Sequence, residues 1–448
     1  MEFNTDTSTD SRDYRSVREN YSPYPGPGRD PEKKGKKAFA FACGLLGGLA
    51  LGIAISLAGI TLGKTVFPAV FGPAGAQQAQ PALSSGGATT EALTQESAAK
   101  LGLLQDMIEE NYYYIDDVTQ EMLRDGVYKG LVSSLGDPYS EYYNEADMEE
   151  LEEQLSGYFF GIGAYLTKQE DAAVISGVIR GTPAEESGLM PGDIIMKVDD
   201  VRVTYEMSLD EVVAMVRGPE GTVVHLTVYR ESEGKDLEFD VTRAQISSET
   251  VYSEMMDGDI GLIVVDRFEE VTSGQFKDAL EDLKKQGMKA LVIDLRYNPG
   301  GQVTTVTEIA SELLPEGLVF YTEDKSGART EYTCPGVDFG YPLAVLVNEY
   351  SASASEILAG AIQDAEIGTI VGTQTFGKGV VQSVYSLGDG TALKLTVSAY
   401  YTRGGQNING VGITPDVEAE FDADAYQKDG TDTQMEKALE VLNEKLAE

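Results

Sequence analysis

SASASEILAGAIQDAEIGTIVGTQTFGKGVVQ, residues 351–382, is the stretch around which the rest of the chain is organised. Three serines at alternate positions lead into Ile357, Leu358, Ala361 and Ile362 at helical spacing. A short β-like run, Thr369–Gly372, follows, and the stretch then reaches Lys378 between two glycines. A serine at a helix start and a glycine-flanked lysine suggest a nucleophile and its base. The single histidine, His225, lies far off in the alternating run VVHLTV. A Ser–His–Asp arrangement would have to recruit it from another module, so Ser plus Lys is the simpler reading.

Outward from this stretch, residues 259–420 alternate strands and helices, the pattern of a layered α/β sheet. The expected strands are DIGLIVV, ALVIDLR, LAVLVN, TIVG and LKLTVSAYYT, with helices near Ser273–Gln286 and Val303–Leu314. Residues 421–448 close on an amphipathic helix with Met435, Ala438, Leu439 and Leu442 on one face. Residues 157–243 are β-rich instead: FFGIGAYL, AAVISGVI, IIMKVDDVRV, TVVHLTVYR and DLEFDVTRA surround the helix LDEVVAMVRG. Between Glu96 and residue 156 the spacing predicts three helices, broken at Gly136-Asp137-Pro138, that form a cap or a dimerisation arm.

Residues 1–37 are polar, without apolar period, and are expected to be disordered. Lys33, Lys34, Lys36 and Lys37 precede the charge-free run 38–63, with only Lys64 just after it. As a helix this run exceeds the roughly 30 Å hydrocarbon core, so it predicts a membrane span with the N-terminus inside and the rest outside. A cleaved leader has a shorter apolar core nearer the N-terminus, although Ala74-Gly75-Ala76 resembles a cleavage site. Residues 64–95, rich in Ala, Gly, Gln, Pro and Ser, read as a tether.

The 448 residues carry a formal net charge of −40 and a pI near 4.2, which argues against a nucleic-acid partner. Cys43 falls in the apolar run and Cys334 in a turn-like TCPG segment, surroundings too different for a pair. Neither C-x-x-C nor H-E-x-x-H occurs, so no zinc site is expected, and the chemistry requires no metal or cofactor.

Three islands carry acyl-transfer chemistry. LRYNPGG, residues 295–301, directly follows the strand ALVID and offers backbone N–H groups to an oxyanion. In SASASE, Ser351, Ser353 or Ser355 could each be the nucleophile, and each could equally be an N-cap. A helix beginning near Ser353 leaves the Ala354 N–H as a second oxyanion donor. In TFGKGVVQ, Lys378 and Gln382 read as one strand face, where Gln382 would orient the amine. A lysine base must be neutral near pH 7, roughly three units below its ordinary value, and apolar burial supplies such a shift.

Residues 157–243, with GLMPGDIIMKVDD, resemble a PDZ domain. The resemblance implies capture of an extended peptide at a sheet edge, with the terminal carboxylate held by Phe160-Gly161-Ile162-Gly163. Together with LRYNPGG, SASASEILAGAIQD, TFGKGVVQ and NGVGITPDV, the chain over roughly residues 100–445 resembles the carboxyl-terminal processing peptidases, the tail-specific proteases of family S41. That resemblance implies a multidomain α/β protein with a crotonase-like protease core after the PDZ domain. It selects Ser353 as nucleophile, Lys378 as base and Gln382 as support, and maps the oxyanion donors to Gly301 and Ala354. It also raises Asp364, about three helical turns beyond Ser353, as a supporting residue. Arg217, in RGPEG at the PDZ edge, is a candidate switch coupling peptide binding to proteolysis. The implied activity is an extracytoplasmic, membrane-anchored endopeptidase for proteins with free C-terminal tails, with homodimerisation open. The rival reading is a non-catalytic scaffold that binds C-termini.

Overall fold

The computed structural model describes residues 94–169 and 172–448. The expected disordered tail, membrane span and most of the tether lie outside them. Among the described residues no helix is long and apolar enough to cross a membrane. These residues form two compact units, one of 94–149 with 381–397, the other of 150–380 with 398–448.

The first unit opens with α1 (Gln95–Asn111) and α2 (Gln120–Ser133), each started by a threonine whose hydroxyl accepts a first-turn N–H. β1 (Glu141–Tyr143) and the start of α3 (Glu145–Ser156) follow. Asp125 takes the Asn144 carboxamide at 3.1 Å and Lys129 pairs with Asp147 at 2.9 Å, which fixes α2 on the start of α3. β1 pairs antiparallel with residues 392–394. Helix α1 buries none of its residues, although Leu101, Leu103, Leu104, Met107 and Ile108 are apolar.

The second unit begins with the β-rich module. Its strands are β2 (Tyr158–Gly161), β3 (Ala164–Gln169), β4 (Ala172–Val178), β5 (Ile194–Val198), β6 (Val201–Arg202), β7 (Val223–Arg230), β8 (Lys235–Thr242) and β9 (Ala244–Ser247). The short α4 (Pro183–Ser187) and α5 (Leu209–Val216) complete it, α5 starting at a Ser208–Glu211 capping box. The sheet order is β3-β4-β5-β7-β8, with β6 beside β5. In β7, Val224, Leu226 and Val228 are buried at alternate positions, as a sheet covered on one face requires. Asp193 of the PGD turn receives Arg230 in a buried two-point pair, both contacts 2.7 Å.

The ribbon β2–β9 leads into the α/β core, made of β10 (Val251–Met256), β11 (Ile260–Val265), α6 (Thr272–Gln286), β12 (Ala290–Asp294), α7 (Val303–Ser311), β13 (Gly317–Asp324), β14 (Arg329–Cys334), β15 (Leu343–Val347), α8 (Ala354–Asp364) and β16 (Thr369–Gly372). β17 (Val380–Ser386) and β18 (Ala392–Thr402) follow, then β19 (Val417–Glu418), α9 (Ala423–Asp429) and α10 (Thr433–Ala447). The sheet runs β10-β11-β12-β15-β16-β19, parallel from β11 onward with β10 antiparallel at the edge. All five residues of β12 and of β15 are buried, as expected where helices cover both faces of a parallel sheet. Met435, Ala438 and Leu442 of α10 pack on one face, against Leu262, Val292 and Leu346.

Three corrections to the sequence reading concern the core. α7 stops at Ser311, short of Leu314, and the hairpin β13–β14 was not foreseen. More consequentially, Lys378 is in no strand, because β17 starts only at Val380. Gly377 sits at φ +86°, and a Cβ on Gly379 would come within 2.5 Å of the Asn409 nitrogen. The lysine loop is thus a glycine-dependent close approach rather than a ladder.

Candidate active site

The strand β12 ends in Asp294, and Arg296 beyond it is wholly enclosed. Its guanidinium meets Asp294 at 2.7 Å, Asp432 at 2.9 Å and Gln434 at 3.0 Å, which ties the loop 295–301 to the start of α10. The carboxylates hold this guanidinium charged against the opposing effect of burial. The loop turns on Gly300 (φ +103°) and Gly301 (φ +146°). A Cβ on Gly300 would lie 2.7 Å from the Ala352 carbonyl oxygen, 2.8 Å from the Ser353 Cβ and 2.9 Å from the Ala354 nitrogen. Only glycine lets this loop lie against the serine turn. The Gly300 N–H donates to the Asn298 carboxamide at 2.8 Å. Among the described residues the Gly301 and Ala354 N–H groups have no acceptor.

The three serines separate by burial. The Ser351 hydroxyl donates to the Leu295 carbonyl at 2.8 Å and accepts the Asn348 N–H, while the Ser355 hydroxyl donates to the Asn298 carbonyl at 2.9 Å. Both are fully buried and rivet the serine turn to the glycine loop. Ser353 is half-buried, at the mouth of α8, with φ +54°. A serine held in that left-handed region is strained, and such strain concentrates at functional sites.

The residue that draws the parts together is Glu356, three positions after Ser353 and fully buried. Its Oε2 accepts the N–H of Ser353 at 2.8 Å and of Lys378 at 2.9 Å. Its Oε1 accepts the Gly377 N–H at 2.7 Å and the Thr375 hydroxyl at 2.6 Å. Two donors on one oxygen place the backbone nitrogens of Ser353 and Lys378 within about 6 Å of each other. Burial pushes the Glu356 carboxyl up, and its four donors pull it back toward the ionised form. The sequence reading did not single out Glu356, although Ser-x-x-Glu before an apolar run is a legible signal.

Other expected residues are placed differently. Asp364 ends α8, about 16 Å along the helix from Ser353, and its exposed carboxylate accepts the Gly404 N–H at 2.6 Å. It is a contact at the helix end and is not brought to Ser353. Gln382 belongs to the other unit, where its carboxamide donates to the Thr396 hydroxyl at 3.2 Å. The strand that was to carry it beside Lys378 does not extend that far. His225 is exposed in β7 and paired with Asp240, which raises its pKa.

In the β-rich module, Phe160 and Gly161 are ladder residues opposite Gln245 and Ala244, so only Ile162-Gly163 form the loop before β3. A Cβ on Gly163 would be 2.3 Å from that of Thr182. β3 is an edge strand of its sheet, with α5 in contact with it, the arrangement that strand addition needs. Arg217, just after α5, reaches Glu153 of α3 at 2.7 Å and covers the Phe159 ring at 5.2 Å. No group of three or more His, Cys, Asp or Glu among the described residues is placed to hold a metal.

Family models match three stretches: peptidase family S41 over residues 259–419, a PDZ domain over 174–230, and the N-terminal domain of the activating protease CtpB over 67–147. The carboxy-terminal processing protease CtpA of Bacillus subtilis (strain 168) is 36% identical over 355 residues, 77% of this chain and 75% of that protein. A probable CtpA-like serine protease of Staphylococcus aureus (strain COL) is 37% identical over 338 residues, 74% of this chain and 66% of that one. Among solved structures, a photosystem II D1 C-terminal processing protease aligns with 78% of this chain and 98% of its own, at 26% identity and a TM-score of 0.43.

Proposed function

Since the chain belongs to peptidase family S41, and is a serine protease of the carboxy-terminal processing kind, we propose that it works through a Ser353–Lys378 dyad on proteins whose C-terminal tails its PDZ domain captures. The observation that carries the dyad is the single buried carboxylate of Glu356, which holds the backbones of both residues. Neutral Lys378 takes the Ser353 hydroxyl proton as its oxygen attacks the scissile carbonyl. Gly301 and Ala354 donate to the oxyanion, the leaving amine takes a proton from Lys378, and water releases the acyl-enzyme. The substrate tail adds a strand to β3, with its carboxylate at the loop Ile162-Gly163. Arg217, bridging α3 and the Phe159 ring, is the candidate relay of that event.

The charge-free run 38–63, after four lysines, supports a membrane tether that leaves the catalytic part outside the cytoplasm. The exposed apolar residues of α1 support a homodimer through the N-terminal helices. A fluorophosphonate tests the dyad. Ser353→Ala should lose both labelling and cleavage while keeping affinity for a tail peptide, and labelling of the wild type should rise with pH as the lysine sheds its proton. Tail binding without labelling of the wild type at any pH would leave the non-catalytic scaffold instead.

A further inference from the structure

Two tyrosines flank the site on separate loops: Tyr297 precedes the glycines of the oxyanion loop, and Tyr350 precedes the serine turn. Their rings stack with centroids 5.3 Å apart and planes 19° apart. One buried carboxamide, that of Asn348, accepts both backbone N–H groups, from Tyr297 at 3.0 Å and Tyr350 at 3.2 Å. Tyr297 is held at φ +65°, a region that an aromatic residue seldom adopts. The other described non-glycine residues with positive φ are Asp199, Asp259, Glu366 and the candidate nucleophile Ser353. Despite this scaffolding the pair is not a core element, since Tyr350 is 50% exposed. Strain and a buried brace are thus used to hold a stacked pair whose Tyr350 ring is half exposed.

That surface lies three residues before Gly300 on one loop and three residues before Ser353 on the other. The loops that carry the two rings are stitched by Ala352 N–H to the Asn298 carbonyl at 3.0 Å and by Ser351 to Leu295 at 2.8 Å. The same stitches set Gly300 against Ser353. A polypeptide with its scissile carbonyl between Ser353 and the Gly301 and Ala354 N–H groups would therefore lie against the two loops that carry these rings. We infer that the Tyr297–Tyr350 stack is a specificity platform for an apolar, preferentially aromatic, substrate side chain adjoining the cleaved bond. This rests on the Ser353 protease reading. An aromatic side chain gains from stacking on the exposed Tyr350 ring, whereas glycine gains nothing.

The test uses the full-length chain and internally quenched peptides that share one C-terminal tail. They carry phenylalanine or glycine on one side or the other of the bond whose cleavage mass spectrometry identifies. The kcat/KM ratio of phenylalanine to glycine peptide should exceed one on one side of the bond. On that side it should fall about fivefold in Tyr350→Ala and persist in Tyr350→Phe. Tyr297→Asn, a residue that tolerates the left-handed backbone, should lower the same ratio. Turnover with ratios unchanged in both ring-deleted variants overturns the platform alone. A wild type that neither cleaves nor takes a phosphonate at Ser353 overturns the protease reading, and the platform with it.

Discussion

Replacing Glu356 with glutamine would change charge and one hydrogen-bonding group while keeping volume. The carboxylate now receives four donors at 2.6 to 2.9 Å. A carboxamide offers one acceptor oxygen and turns an NH2 toward the other pair. Two buried donors then lose their acceptor at about 1–3 kcal/mol each, roughly 2–6 kcal/mol together. The serine turn or the lysine loop relaxes to recover them. A displacement of about 1 Å at a catalytic group costs on the order of 100-fold in rate. Glu356→Gln should therefore lower kcat on a tailed peptide about 100-fold, with KM little changed because the tail binds elsewhere. Urea midpoints should fall, and phosphonate labelling of Ser353 should slow in parallel with kcat. A variant that turns over within about threefold of the wild type would refute the idea that this carboxylate sets the geometry of the proposed dyad.

Ser351→Ala and Ser355→Ala each remove a buried hydroxyl that donates to a loop carbonyl. Each should destabilise by about 1–3 kcal/mol in urea titrations, with any phosphonate adduct still mapping to Ser353. Glu269, against Gly157 at the neck of the PDZ domain, has an unpartnered buried Oε2, and burial raises its pKa from 4.5 to about 7, with Arg267 opposing. Its ionised form is the costly one in the fold, so its contribution is complete below about pH 4.5 and disappears as pH climbs through about 7. Stability should drop by about 2–3 kcal/mol across that interval, and Glu269→Gln should flatten the profile measured by urea unfolding at several pH values. If α1 mediates dimerisation, Leu104→Lys with Met107→Lys should convert a dimer to a monomer in light scattering without lowering the melting temperature.

The amino-acid sequence alone determined the α/β core, because strands buried on both faces must be continuous apolar runs, as ALVID and LAVLV are. It determined the β-rich module too, since the alternation in VVHLTVYR permits one covered face. The short islands NPGG, SASASE and TFGKG marked the candidate site, because glycines in such positions serve close backbone approach. What it left open was which of three serines faces solvent, and how the lysine is held. Both depend on partners distant in the chain: Leu295 and Asn298 bury two of the hydroxyls. Likewise a carboxylate on α8 claims the backbone N–H groups of Gly377 and Lys378, so no strand forms there. Local pattern reports the face that a residue prefers. Only the folded chain decides which buried donors must share an acceptor, and that sharing is what brings residues 353 and 378 together.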